Sequence, residues 1–142
     1  MSTPRENLKN LAKIGRLIPE PPSQTEFDAM MRSGRLRFPD SENGSLHLYN
    51  RFMVAYDAAH TFALAALRWH GYRSKDRATV FQVLEHTAGL SQGEGRFLYD
   101  CHQKRNLALY EGGYHGDERV VTELIAVTKV LMAAVERMGP VP

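Results

Sequence analysis

The chain has 142 residues, a net charge of +2, 43% hydrophobic and 24% charged residues, proportions that suit one water-soluble domain with one core and leave no room for a second. No uninterrupted apolar stretch reaches the length of a membrane span, and Met1 to Lys13 is polar with no signal-peptide segment, so a cytoplasmic protein is expected that neither spans nor anchors in a membrane. A single cysteine, Cys101, excludes an internal disulfide, and 13 of the 18 basic residues are arginine, the side chain suited to bidentate contact with phosphate or carboxylate.

In chain order, Thr3-Pro4-Arg5-Glu6 reads as a capping box with proline at the first helical position, followed by a short stripe of Leu8, Leu11 and Ala12. Pro19-Glu20-Pro21-Pro22 cannot continue a helix, because proline lacks the amide proton and restricts the residue before it. Residues 1–44 are therefore read as an N-terminal helical arm with a Pro-rich linker. Ser23-Gln24-Thr25-Glu26 opens a second helix with Phe27, Met30 and Met31 inward, which fails between Gly34 and Pro39.

The longest helical pattern follows. Leu46, Tyr49, Phe52, Tyr56, Ala59, Ala63, Ala66, Leu67 and His70 recur at spacings of three and four, and Gly71 ends the run. A fourth helix starts near Ser74 and buries Val80, Val83, Leu84 and Thr87. Ser91-Gln92-Gly93-Glu94 opens the helix that carries Phe97, Leu98, Cys101, Ala108 and Leu109, and Gly112-Gly113-Tyr114-His115-Gly116 closes it. The last helix runs from about Asp117 to Gly139-Pro140. No useful stretch alternates with period two, so strands are not expected; the chain reads as all-α, a bundle of five to six helices, with residues 45–139 as its main helical bundle.

The chemistry concentrates in Cys101-His102-Gln103-Lys104-Arg105-Asn106-Leu107-Ala108-Leu109-Tyr110-Glu111. Arg105 lies four residues after Cys101 and three before Ala108, so it projects from the apolar stripe, where a guanidinium needs partners. His102, Asn106 and Tyr110 follow one another at intervals of four and form a polar strip beside it. The alternative is structural: Arg105 pairs with Asp100, Asp57 or Glu111, or extends to solvent.

This stretch resembles the HEPN family, whose signature is an arginine, a polar residue that is commonly asparagine, three further residues and a histidine. Arg105-Asn106 matches, and Tyr110 stands where the histidine belongs. Ala55-Tyr56-Asp57-Ala58-Ala59-His60 leading into Ala65-Ala66-Leu67-Arg68-Trp69-His70-Gly71-Tyr72 is similar to the long alanine-rich helix and turn of bacterial members. Phe81 to Leu90 and Arg105 to Glu111 are similar to later segments, so the resemblance covers roughly residues 45–138.

The resemblance implies a HEPN-like helical bundle of toxin-antitoxin or defence type, acting as a homodimer in which the signature residues of two chains share a cleft. It implies binding of RNA or a nucleotide, with metal-independent endoribonuclease activity if Tyr110 serves in place of histidine. Arg105 would stabilise phosphate charge, with Asn106 and Tyr110 beside it as catalytic residues and His102, Lys104 and His60 contacting substrate. A phenol is a poor base at neutral pH, whereas an imidazole passes protons either way. The competing expectation is a non-catalytic interaction module or an antitoxin-like partner of a nucleotidyltransferase. Gly112 occupies the position of the tyrosine that such partners modify. No cofactor and no metal site are expected, since no His-Glu-x-x-His occurs and Glu85-His86, as helical neighbours, cannot face one ion.

Overall fold

The computed structural model describes residues 2–142, which form α1 (Pro4–Lys13), α2 (Gln24–Arg37), α3 (Leu48–Trp69), α4 (Arg77–Gln82), α5 (Leu84–Thr87), α6 (Gln92–Glu111) and α7 (Glu118–Glu136). A 3-10 turn over Phe38–Glu42 follows α2, and β1 (Ile18–Pro19) pairs antiparallel with β2 (Tyr72–Arg73). The protein is mostly helical, as expected. Seven helices replace five or six because the fourth one breaks at Val83, whose backbone (φ −99°, ψ 6°) leaves the helical region between α4 and α5.

The two-residue ladder is a correction to the expectation of no strands. Arg68, only 5% exposed at the end of α3, holds it in place. Its guanidinium donates to the Glu26 carboxylate (2.9 Å) and to the carbonyls of Glu20 (3.1 Å), Pro21 (2.9 Å) and Tyr72 (3.3 Å). One buried cation thus ties both strands and the Pro-rich segment to the bundle, and its hydrogen bonds offset its desolvation. A ladder this short has no hydrophobic alternation to read.

α3 is the central helix. Ala55, Ala58, Ala59, Ala63, Ala65 and Ala66 are buried along it, and such short side chains let α2 and α7 approach closely. Gly34 of α2 packs onto the ring of Phe62, so closely that a Cβ there would run into it. The segment read as an N-terminal arm contributes Leu8, Leu17, Phe27, Met31 and Phe38 to the same core as Phe52, Tyr56, Phe62 and Leu131.

Three hydroxyl caps start helices as anticipated: Thr3 and Ser23 accept from the amides of Glu6 and Glu26, and Ser91 accepts from that of Glu94. Only Glu94 reaches back to its cap, because Glu26 is taken by Arg68. Among the described residues, no helix is long and apolar enough to cross a membrane.

Candidate functional site

α6 buries few residues, among them Leu98, Cys101, His102 and Ala108, so much of its surface is free. Arg105 follows Cys101 by four positions and lies at the edge of that buried stripe. Its Cζ stands 5.4 Å from the centroid of the Tyr56 ring of α3. Arg77, at the start of α4, approaches the same ring with its Cζ at 6.0 Å. Two guanidinium groups therefore share one aromatic ring, a contact that is attractive but cannot neutralise either charge.

Among the described residues neither arginine has an ion-pair partner. The acids anticipated for Arg105 are engaged or do not reach it: Asp57 pairs with Arg37 at 3.0 Å, and neither Asp100 nor Glu111 forms a bond to it. Asp76 is the other acid felt here, and its carboxylate accepts the Thr79 amide at 2.7 Å as the cap of α4. Arg105 Nε is buried and meets no acceptor, which costs about 1–3 kcal/mol for a donor left without a partner.

A hydrogen-bonded chain fixes the polar atoms. Arg105 Nη1 donates to Asn106 Oδ1 at 3.2 Å, which turns the Asn106 amide nitrogen toward His102 Nε2 at 3.4 Å. Nε2 then accepts, the proton of the neutral ring sits on Nδ1, and Nδ1 donates to the Tyr56 hydroxyl at 2.8 Å. Burial, then Arg105 and Arg77, hold the pKa of His102 below its ordinary value, with Asp76 opposing. The Tyr56 phenol is pushed up, chiefly by burial. Across the ring, burial followed by Arg77, His102 and Arg105 lowers His60 to about 4. The cluster is thus a pair of permanent cations surrounded by neutral donors and acceptors.

Of the anticipated residues, Arg105, Asn106, His102 and His60 come together. Tyr110 does not: it is 93% exposed, and five residues beyond Arg105 it projects from a different side of α6. Lys104 faces α7 instead, where it lines a groove with Leu107, Glu111 and Tyr114. His70, at the far end of α3, stands apart from this cluster, with its Nε2 2.9 Å from the Thr87 carbonyl oxygen. Arg77 and Tyr56 were missed as site residues. Tyr56 has the spacing of a core residue, and only the packing of α4 against α3 and α6 brings Arg77 to Arg105.

A groove of about 550 Å³ adjoins the cluster at Phe81 and continues past Gln82, Glu85, Arg96, Tyr99 and Gln103. Phe81 joins the groove to the cluster, with its ring 5.7 Å from that of His60 and 5.9 Å from that of His102. Among the described residues no three His, Cys, Asp or Glu side chains converge as a metal site requires.

Family models, curated proteins and solved structures yield no match to this chain. The functional reading therefore rests on the chemistry of the cluster. Two guanidinium groups without an ion-pair partner among the described residues, with the amide of Asn106 beside an imidazole, have the charge and donor geometry that suit an oxyanion.

Proposed function

We propose that this chain is a HEPN-type helical protein that binds the phosphate of RNA or of a nucleotide at Arg105, with Arg77 as a second cation and Asn106 as a positioning donor. The observation that carries the reading is the Arg105 guanidinium on the Tyr56 ring, with no carboxylate paired to it and its Nε without an acceptor. A homodimer belongs to the same proposal. It is supported by apolar surface that the C-terminal half of α6 leaves uncovered, where Leu107, Leu109 and Tyr110 are 57%, 51% and 93% exposed.

Metal-independent cleavage of RNA, in the manner of a toxin or defence nuclease, is a second reading, favoured by His102. Its imidazole is neutral at pH 7 and one hydrogen bond from Asn106, so it can accept the proton of a ribose 2'-hydroxyl once a ligand draws Asn106 away. Tyr110 lies outside the cluster and so is not placed for that step. A non-catalytic module that docks a nucleotidyltransferase or antitoxin keeps the same cluster without this proton transfer.

The test is incubation of purified protein with labelled RNA in EDTA, scored for binding and for cleavage, beside Arg105→Ala and His102→Gln. Binding lost in Arg105→Ala supports the phosphate site, and cleavage lost in both variants identifies a nuclease. Wild-type RNA and nucleotide affinity equal to that of Arg105→Ala rejects the proposal.

A further inference from the structure

A second concentration of positive charge stands apart from Arg105. Arg5, Lys9 and Lys13 follow one another along one face of α1 at four-residue intervals, about 6 Å of helix rise per step. They form one wall of a groove of about 550 Å³ whose other wall is Pro19, His70 and Tyr72 beside the β1–β2 ladder. Among the described residues no Asp or Glu lines this groove. Among the described residues none of the three cations is in an ion pair, while the nearest acid of the ladder, Glu20, is held by Arg68 and Arg73.

The chemistry of the two walls selects the ligand. Cations repeated at a near-constant step match the successive charges of a strand better than the single charge of a metabolite. Tyr72, half-buried opposite them, offers an aromatic ring of the kind on which bases stack beside a basic track in single-strand binding surfaces, while the His70 ring is packed edge-on against Trp69 and held by the Thr87 carbonyl. A lipid surface would require a free apolar stripe on α1, but Leu8 is buried in the core, Leu11 is half-buried, and Ile14 alone is exposed. Arg16, three residues past Lys13, donates to Gln82 at 3.1 Å, so the basic side chains continue toward α4, the helix that begins at Arg77.

We infer that the groove between α1 and the ladder binds the sugar–phosphate backbone of a single-stranded RNA, as a second contact on the strand whose other phosphate sits at Arg105. The inference rests on the phosphate reading of Arg105 and sharpens it: the ligand is a strand, and a mononucleotide occupies only part of the surface.

The test is fluorescence anisotropy with labelled oligouridylates of about 4 and about 16 nucleotides, the usual range of site sizes, at several potassium chloride concentrations. The proteins are wild type, Arg105→Ala and the triple variant Arg5→Gln, Lys9→Gln, Lys13→Gln. All three substituted cations are exposed, so the triple variant keeps its fold, checked by circular dichroism. It is expected to lose the preference for the longer strand and to show a salt slope smaller by about 2, since each phosphate contact on a single strand contributes about 0.7. Its affinity for the shorter strand, which Arg105 still holds, falls less than that for the longer one. An unchanged slope and length preference, with Arg105→Ala still weakening both strands, overturns the groove and leaves the Arg105 site standing. If wild type binds neither strand, both fall. If polyglutamate displaces the longer strand as well as unlabelled RNA does, the groove is a general polyanion surface and the inference is rejected.

Discussion

The Tyr56 hydroxyl of α3 lies 2.8 Å from Nδ1 of His102 on α6, and neither side chain is open to solvent. This bond joins the central helix to the one that carries Arg105, and through Asn106 it ends at the guanidinium itself. The position of Arg105 is thereby set by a buried pair one turn away.

Tyr56→Phe removes the acceptor and leaves the His102 Nδ1 proton without a partner. The expected cost is about 1–3 kcal/mol, the penalty of a buried donor left unpaired. Urea denaturation reads it directly. A midpoint equal to that of wild type would mean that the bond contributes nothing to holding α6.

Arg105→Ala is expected to change stability by less than about 1 kcal/mol, because the lost cation–π contact is offset by removal of an orphaned donor. The same variant should raise the pKa of His102, whose lowering is due first to burial and then to Arg105, and also that of His60. Proton NMR titration of the ring resonances measures both. Loss of several kcal/mol of stability would identify Arg105 as a structural prop, and unmoved histidine titrations would contradict the electrostatic description of the cluster.

Stability should fall in mild acid. His60 titrates at about 4 in the folded protein and near 6.5 when unfolded. Between these values the unfolded chain binds a proton that the folded chain excludes, so the stabilisation is complete above the unfolded value and is lost as pH falls toward 4. A lowering of this size corresponds to roughly 3 kcal/mol. His70 and His102, both lowered chiefly by burial, act in the same direction. Denaturation curves of wild type and His60→Gln across this window should diverge, with the variant less sensitive to acid; parallel curves would remove His60 from the account.

Arg68→Met should be the most damaging single change outside the apolar core. It strips the carbonyls of Glu20, Pro21 and Tyr72 of their donor and leaves the carboxylates of Glu20 and Glu26 without their buried partner. Each carbonyl left without a donor is expected to cost about 1–3 kcal/mol, while the two carboxylates, nearly half exposed, add little. Thermal unfolding and limited proteolysis after residue 17 would show the Pro-rich segment released first, and a variant as protease-resistant as wild type would refute the clamp.

Much of the architecture was legible because it is local. Hydroxyl residues at positions 3, 23 and 91 initiate helices by accepting an amide three residues on, and this depends only on neighbours in the chain. The alanine-rich run of α3 announced a helix that others approach closely. Gly112, in the left-handed conformation at φ 75°, ends α6 where the glycine hinge was read. Arg105, expected to project from the apolar stripe because it follows Cys101 by four residues, lies half-buried at the edge of that stripe, a direction that helical period largely fixes.

What stayed hidden depends on which helices meet. Arg77 is 28 positions before Arg105, and no spacing rule joins them; α4 had to settle against α3 and α6 before both cations reached Tyr56. No spacing marks Arg68 either: the turn at Gly71 and the carbonyls of a distant Pro-rich segment make it a buried clamp. The amino-acid sequence by itself determined the helices, their caps and the inward tilt of Arg105, because hydrogen bonds and side-chain period within a few residues set these. Only the tertiary structure decided that the charge on Arg105 would find no acid and a second arginine instead, because the partners of a charged side chain are chosen by packing between segments far apart in the chain.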